Sequence, residues 1–363
     1  MKPHLKILIT APSLDETQNV SGISSVVRQI VECGNFDYRH FGAGKKDGER
    51  QNIRWIFKQT AMPIQFFQIL KRAKIDVVHI NTALNPRSIL RDFALVKAAR
   101  FAKVPILLHV HGGQFLAQEF EKNWLKKLAE KMLRMSNEIL VLSELEKEII
   151  KSRWENLNIE FLENAVVIED FTNTEKVRNS IIFLGRLHES KGLEEIIEVV
   201  KILKSEGFDF TFRAFGSGDL QRFFVEKMTE ILGDKFYFGG VISGKDKQNE
   251  LSKSDVFILP SRYGEGLPMA MLEAMAAKNI VVVSEMASIG TVIQNNFNGF
   301  LVEPKNVTQL VETLRNILSD KIDAKTVREN ARKTVEEKYN LQNYVEKLED
   351  IYEKIALRSE STL

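Results

Sequence analysis

The sequence predicts an α/β fold in which two doubly wound parallel sheets each form a domain. Apolar runs of strand length alternate with longer stretches of helical period, and this series begins a second time near residue 180. The chain has 363 residues. That length is too great for one ordinary core and suits two domains of ~150–200 residues.

In the first half, the strand candidates are apolar throughout rather than alternating in polarity. Such runs are typical of parallel strands buried on both faces. Right-handed crossovers would wind strands and helices into a doubly wound sheet. The predicted strands are 5–10, 76–80, 105–110 and 138–142, and the predicted helices are 23–33, 62–74, 87–102 and 119–135.

The second half repeats this architecture. A polar stretch at 169–179 is the predicted linker, so we place the first domain at 1–169 and the second at 170–342. The predicted strands are 180–185, 210–216, 235–240, 256–260 and 279–284, and the predicted helices lie near 192–205, 219–232, 245–253, 268–277 and 306–318.

A terminal helix follows at 343–363, with one apolar stripe formed by Tyr344, Val345, Leu348, Ile351, Tyr352 and Ile355. The second sheet already has its helices. The terminal helix is therefore expected to pack back on the first domain; the alternative is an ordinary last helix of the second.

Composition narrows the class of protein. With 44% hydrophobic and 28% charged residues the chain is globular, and Cys33, its single cysteine, excludes a disulfide framework and a cysteine metal site. The first apolar run is too short for a signal peptide, and no run approaches the ~20 residues of a spanning helix. These features predict a soluble, cytoplasmic protein.

Ligands of open α/β sheets bind at the carboxyl ends of strands. After the strand at 180–185 comes GRLHESKG, which offers Arg186 and Lys191 beside glycines and a helix start. Two cations and helix amides suit a diphosphate without a divalent metal. The alternative is an ordinary surface Arg and Lys in a turn.

Further glycines follow the next two strands. Gly216 opens a G-x-G turn, which alone is a weak signal because any tight turn uses glycine. Gly239 and Gly240 end the following strand, where a planar base could lie along exposed backbone.

The first domain offers a histidine and a helix start. His109 and His111 are two apart in PILLHVHGG; His109 is interpreted as a core residue and His111 as a ligand contact at the sheet rim. The loop residues Ser21 and Gly22 precede a helix, a plausible site for phosphate or acceptor hydroxyls.

Two carboxylates stand in YGEGLPMAMLE. Pro268 is favoured at the first position of a helix, which leaves Glu265 in the loop and puts Glu273 inside a nearly all-apolar helix. A carboxylate there needs donors. Sugar hydroxyls would supply them, and a buried Arg or backbone amide is the alternative.

Together these motifs resemble the retaining glycosyltransferases of family four, a GT-B group that includes many bacterial polysaccharide and lipid glycosyltransferases. The likeness rests on GRLHESKG, FGSGD and E-G-L-P with a second glutamate eight residues after the first, and extends to HVHGG and NGFLVEP. It implies two Rossmann-like domains facing a cleft, with the acceptor on the first and a nucleotide sugar on the second.

The resemblance also implies a role for each site residue. Arg186 and Lys191 would bind the donor diphosphate as leaving group. Glu265 would hold hydroxyls of the donor sugar, and Glu273 those of the ribose. The remaining donor contacts would be His111, which reaches the donor sugar from across the cleft, Gly216, Gly239 and the amides of Gly266 and Leu267.

Two departures bear on the donor sugar. Many members have Gly-Gly where this chain has Ser21-Gly22, and commonly a Gly-Gly-x-Pro-Glu segment where this chain has Ala287 to Thr291. The identity of the donor sugar is therefore left open. UDP is the expected nucleotide, because it is the most frequent one in the family. No cofactor and no metal is expected.

A basic segment at 54–74 bears on which macromolecular partners we expect. It combines Lys and Arg with Trp and Phe, which predicts contact with an anionic membrane surface, on the inner face of the cell membrane. The alternative makes Ile64, Phe67 and Leu70 core and the charges a solvated face. Nucleic acid is not expected, because the net charge is only +2 and no recognition motif appears.

The sequence thus predicts transfer of a sugar from a nucleotide donor to a glycan or lipid-linked saccharide in cell-surface polysaccharide biosynthesis. Two alternatives remain open at this point. One is a nucleotide-sugar epimerase of the same fold, and the other is a non-catalytic subunit that binds a nucleotide sugar.

Overall fold

A computed structural model describes residues 4–16, 18–19, 21–45, 49, 53–112, 114–117, 120, 122–168, 175–286 and 288–360, without the side chains of 53–58, 114, 117, 359 and 360. The chain divides into two compact units: residues 1–164 with 341–363, and residues 165–340. The sequence had placed these boundaries at 169/170 and 342/343.

One parallel sheet forms the centre of the first unit. Its described strands are β1 (Lys6–Ala11), β2 (Asp37–Gly42), β3 (Val77–Thr82), β4 (Ile106–Val110), β5 (Glu138–Val141) and β6 (Ile159–Phe161). They lie in the order β2-β1-β3-β4-β5-β6. Every residue of β3, β4 and β5 is buried, which confirms the continuous apolar runs as central strands.

Helices cover both faces of this sheet. Those described are α1 (Gly22–Cys33), α2 (Ile53–Arg72), α3 (Pro86–Ala102), α4 (Gln114–Ala117), α5 (Asn123–Met135), α6 (Glu144–Arg153) and, from the end of the chain, α14 (Leu341–Glu360). Helix α14 packs on α1, β3 and β4. Its Tyr352 is fully buried, with its hydroxyl 2.6 Å from Nδ1 of His79.

Helix α2 buries a different stripe from the one the sequence suggested. Met62, Phe66 and Leu70, four residues apart, are each under 5% exposed, because this spacing keeps one face of a helix on the sheet. Ile64 is 62% exposed, and Phe67 is only partly buried. The core alternative for Ile64 is therefore wrong. Arg54, Trp55, Phe57 and Lys58 lie outside the described side chains.

The second unit repeats the layered arrangement. Its described strands are β7 (Ser180–Leu184), β8 (Thr211–Phe215), β9 (Phe236–Phe238), β10 (Val256–Leu259), β11 (Ile280–Ser284) and β12 (Phe300–Val302). Their order is β12-β11-β10-β7-β8-β9, again all parallel. The described helices are α7 (Leu193–Ser205), α8 (Gln221–Leu232), α9 (Gly244–Lys253), α10 (Met269–Ala276), α11 (Ile289–Val292), α12 (Val307–Leu318) and α13 (Ala324–Lys338).

The two sheets confirm the predicted α/β class with doubly wound parallel sheets. In each sheet the strand order reverses at the first strand of the unit. Strand β1 lies between β2 and β3, and strand β7 lies between β8 and β10. Such a reversal opens a crevice at the carboxyl ends of those strands. Among the helices of the described ranges, none is both long and apolar enough to cross a membrane.

Candidate functional site

In the second unit the loop after β7 lies against the loop after β10. The backbone amide of Arg262 donates to the carbonyl of Ser190 at 2.7 Å. The guanidinium of Arg262 then binds Glu195 at 2.7 Å and Glu194 at 2.6 Å. The Tyr263 hydroxyl also donates to Glu189, an acceptor on the first loop. One loop is thus tied to the other by backbone and side-chain bonds together.

Glycines allow this close approach. Gly192 has a left-handed φ of +71°, and a Cβ built on it would lie 1.9 Å from the carbonyl oxygen of Pro260. Gly216 has a φ of +136°, and its Cβ would lie 1.9 Å from the carbonyl oxygen of Gly185. Any side chain here would force apart the turns after β7, β8 and β10. These glycines set the distances between the site loops.

The tied loops bring together two of the residues that the sequence singled out. Lys191 forms an ion pair with Glu265, although 74 residues separate them. The Glu265 carboxylate also accepts a hydrogen bond from the Ser261 hydroxyl at 2.5 Å. The Glu265 side chain is 7% exposed and that of Lys191 21%. A cation and an anion therefore stand side by side at the carboxyl ends of β7 and β10.

Arg186 supplies a second cation on the same turn. Its side chain is exposed, and among the described residues it has no ion pair and no hydrogen-bond partner. A guanidinium in this condition can take a phosphate as a bidentate partner without first breaking another bond. Arg186 and Lys191 thus differ, since only the lysine is already paired.

Glu273 lies in α10 as predicted, but its partner is neither an arginine nor a backbone amide. The ammonium of Lys247 binds its carboxylate at 2.7 Å, and the two side chains are 16% and 15% exposed. The carboxylate is therefore already paired within the protein. Helix α10 itself begins at Met269, with Pro268 as an extended residue before it, so the predicted start at Pro268 is one residue early.

The remaining donor candidates sit at the same edge of the sheet. Gly239 follows β9, and a Cβ there would come 2.2 Å from the Phe215 ring, which brings that backbone close to the ring. Gly266 and Leu267 precede α10, and the Leu267 side chain is buried, 3% exposed. The only part these residues can offer a ligand at this edge is backbone.

In the first unit His111 lies directly after β4 and is partly exposed. Its Nε2 is 2.6 Å from Oδ1 of Asn81, and its ring lies 4.0 Å from that of His109. Burial lowers the pKa of His111 from its ordinary value to about 3. The imidazole is therefore neutral at physiological pH.

His109 is a core residue, as the sequence predicts. It is 0% exposed, and burial together with the neighbouring His111 and His79 lowers its pKa well below the ordinary range. It stacks on His79 with ring centroids 5.4 Å apart. The three histidines thus form one row in which only His111 reaches the surface.

Ser21 and Gly22 form the start of α1. The Ser21 hydroxyl accepts a hydrogen bond from the backbone amide of Ser24 at 3.3 Å, so the serine is an N-cap. A Cβ on Gly22 would meet nothing within 4 Å, which leaves open space in front of this helix. Ala287, part of the second departure from the family pattern, lies outside the described residues.

Sequence reasoning missed the partners of the site residues. Ser261 follows β10 and could have been noticed there, whereas nothing in the sequence connects Lys247 with Glu273 or Asn81 with His111. In the ranges that the structure describes, no group of three or more His, Cys, Asp or Glu is placed to hold a metal ion.

Comparison with known proteins finds a family match within the second unit and similar proteins over most of the chain. Residues 168–334 match the sequence model of a family described as glycosyl transferases group 1. An Escherichia coli protein, UDP-Gal:alpha-D-GlcNAc-diphosphoundecaprenol alpha-1,3-galactosyltransferase, is 28% identical over 329 residues, 82% of this chain and 80% of that protein. The amylovoran biosynthesis glycosyltransferase AmsK of Erwinia amylovora is 32% identical over 185 residues, 48% of this chain and 45% of AmsK.

Solved structures share the fold. Sucrose-phosphate synthase from Thermosynechococcus elongatus aligns with a TM-score of 0.79 at 16% identity, covering 96% of this chain and 98% of that one. HepE of Anabaena, solved in complex with UDP, aligns with a TM-score of 0.75 at 14% identity, covering 96% and 99%.

Proposed function

We propose that this chain, which has the GT-B fold and whose residues 168–334 match the glycosyl transferases group 1, is a retaining, metal-independent enzyme of cell-surface polysaccharide biosynthesis. It takes a sugar from a nucleotide donor, with UDP as the nucleotide, and transfers it to a glycan or a lipid-linked saccharide. The galactosyltransferase relative is named for a UDP-sugar and a diphosphoundecaprenol acceptor, which supports both choices.

The observation that carries this proposal is the ion pair of Lys191 and Glu265 beside the unpaired Arg186. Arg186 and Lys191 neutralise the diphosphate as it leaves, the task that a metal ion performs elsewhere. Glu265 accepts hydrogen bonds from hydroxyls of the transferred sugar. Glu273 does the same for the ribose, with Lys247 holding its carboxylate in place.

Retention follows from attack on the same face that the leaving group occupies. The acceptor oxygen bonds to the anomeric carbon while the bond from that carbon to the phosphate oxygen breaks. The acceptor's proton passes to the departing phosphate oxygen. Glu265 then needs no covalent bond to the sugar, and its pairing with Lys191 suits a carboxylate that orients hydroxyls rather than one that attacks.

The test begins with binding. We expect a UDP-sugar to raise the melting temperature of the full chain more than GDP- or ADP-sugars do, because a ligand that binds only the folded state stabilises it. Arg186→Ala should abolish the shift, while Arg222→Ala, which removes an arginine 91% exposed on α8, should leave it unchanged. A shift that survives Arg186→Ala would refute the diphosphate site.

Chemistry is tested with donor and acceptor together. Proton NMR of the product should show the donor's anomeric configuration, and EDTA should not reduce the rate. An inverted product would refute retention, and a chelator-sensitive rate would refute metal independence. Conversion of the donor to a new nucleotide sugar without acceptor would show an epimerase instead. A glycan made equally well by the Lys191→Ala chain would indicate a non-catalytic subunit.

We also propose that the enzyme rests on the inner face of the cell membrane through the first unit. Ile64 is 62% and Phe101 78% exposed, and the rings of Phe67 and Phe101 lie 5.5 Å apart. The Lys71 ammonium stands 5.6 Å from the Phe67 ring, so a cation flanks the apolar patch. Apolar side chains beside basic ones are typical of binding to anionic lipid.

Flotation with vesicles tests this patch. The full chain should float with vesicles containing anionic lipid at low salt and stay behind with neutral vesicles. Ile64→Ser with Phe101→Ser should abolish flotation, whereas Phe223→Ser, which removes an exposed phenylalanine of the second unit, should not. Equal flotation of all three chains would refute the patch.

A further inference from the structure

Asn81 at the end of β3 is fixed in one orientation. Its side chain is buried, 2% exposed, and its Nδ2 donates to the backbone carbonyl of Thr10 at 2.8 Å. Its own backbone amide donates to the Thr10 hydroxyl at 3.1 Å. A carbonyl can only accept, so the NH₂ group must face Thr10 and the carboxamide oxygen must face the other way.

That oxygen faces His111, 2.6 Å from Nε2. A carboxamide oxygen carries no hydrogen, so Nε2 must donate the one that lies between them. Because burial keeps the imidazole neutral, only one ring nitrogen is protonated. Nδ1 therefore carries a lone pair, and no described residue donates to it.

The other two histidines of the row, His109 beside the His111 ring and His79 beside His109, leave the Nδ1 of His111 available to a ligand. His109 packs against the His111 ring at 4.0 Å, and both of its own nitrogens are buried without a partner. His79 is anchored through Nδ1 by the Tyr352 hydroxyl at 2.6 Å. Neither His79 nor His109 is exposed, so only His111 can meet a ligand.

We propose that Asn81 is a positioning residue that holds His111 in the tautomer protonated at Nε2 and thereby makes Nδ1 an obligatory acceptor for a sugar hydroxyl. The choice of a sugar as the ligand rests on the proposed function. A hydroxyl can donate to Nδ1, whereas a methyl ether or a missing oxygen at the same carbon cannot. His111 would then select sugars that carry a free hydroxyl at this position.

Nitrogen-15 NMR of the ligand-free chain tests the tautomer directly. We expect the His111 signals of a protonated Nε2 and an unprotonated Nδ1. In Asn81→Leu, which has a similar shape and no oxygen, both tautomers should appear. Thr10→Val is the matched control, because it removes a hydrogen bond to the Asn81 backbone and leaves the Asn81 side chain bonded to His111.

Kinetics then show whether Asn81 acts through His111. Asn81→Leu should lower kcat/KM by roughly tenfold, the effect of one lost hydrogen bond of ordinary strength. The double variant with His111→Ala should be no slower than His111→Ala alone, since the two changes remove the same interaction. A loss that multiplies in the double variant would overturn the positioning role.

The two proposals fail separately. A wild-type spectrum with Nδ1 protonated overturns the inference whatever the enzyme transfers, and it needs no variant to fold. The expected tautomer combined with full activity of His111→Ala overturns the sugar contact and with it the role of Asn81. Loss of the donor-binding shift in Arg186→Ala would meanwhile still support the proposed transferase.

Discussion

Replacing Lys191 by alanine should destabilise the protein as well as inactivate it. The change leaves the Glu265 carboxylate with Ser261 as its partner, although the carboxylate side chain is only 7% exposed. Breaking a fully buried pair costs about 3–5 kcal/mol, and breaking an exposed one costs ~1 kcal/mol or less. Lys191 is itself 21% exposed, so the pair lies between these limits. We expect the free energy of unfolding to fall by roughly 1–3 kcal/mol.

The second substitution separates stability from catalysis. Adding Glu265→Gln to Lys191→Ala removes the unpaired charge, and an amide of the same shape can still bond Ser261. The double variant should therefore recover stability to within about 1 kcal/mol of the native chain. It should stay inactive, because the phosphate cation and the sugar carboxylate are both gone.

Urea unfolding followed by circular dichroism measures the stabilities, and transfer from a UDP-sugar measures activity. All three tryptophans belong to the first unit, so their fluorescence identifies the transition of that unit and separates it from the other. The two compact units can unfold separately, so the transition of residues 165–340, which contain Glu265 and Lys191, is the one to follow. A double variant that is less stable than Lys191→Ala would refute the interpretation of the pair as a coupled charge. A double variant with restored transfer would refute the assigned roles.

Three other predictions concern stability. Gly216→Ala should lower the free energy of unfolding by roughly 2–4 kcal/mol, because φ is +136° and the new Cβ would lie 1.9 Å from a carbonyl oxygen. Gly207→Ala, at a φ of +84° with open space around the new Cβ, should cost about half as much. Equal losses of stability in urea would contradict the close-packing argument. Tyr352→Phe should cost about 1–2 kcal/mol by removing the hydrogen bond to His79, and an unchanged thermal midpoint would contradict that. Acid should weaken the fold, because burial lowers the pKa of His79 to about 3 and that of His109 well below its ordinary value, so the unfolded chain takes up protons at a higher pH than the folded chain does. The contribution of these histidines to the free energy of unfolding is complete above about pH 6.5 and falls toward pH 3 by ~1.4 kcal/mol per pH unit for each histidine. Equal urea midpoints at pH 7 and pH 5 would refute this prediction.

The central strands were the most predictable part of the fold. The run from Val77 to Ile80 is buried on both faces of the sheet. A strand buried in this way is apolar along nearly its whole length, and such a run predicts a strand from the sequence alone. Both edge strands of the first sheet were missed, because an edge strand needs no such run: in β2 only Phe41 is buried, and in β6 only Ile159. Helix α6 was missed for the same reason, with Glu146 and Ile150 as its buried residues.

The site divides in a similar way. Glycines and cations that follow strands can be read from the sequence because their position along the chain fixes their position at the sheet edge, as for Arg186 and Lys191. Pairings across the fold cannot, since Lys191 and Glu265 meet only through the tied loops. The partners Asn81 and Lys247 escaped notice because Asn81 lies within strand β3 and Lys247 within helix α9, away from the loops that follow strands.

The division of the chain into two units sets the order in which they can fold during synthesis. Residues 165–340 are continuous, so the second unit can fold as soon as it emerges from the ribosome. The first unit must wait, because His79 receives its partner from Tyr352, 273 residues later. A nascent chain therefore carries an incomplete N-terminal half through most of translation, and a premature stop before residue 341 would harm the half that was made first.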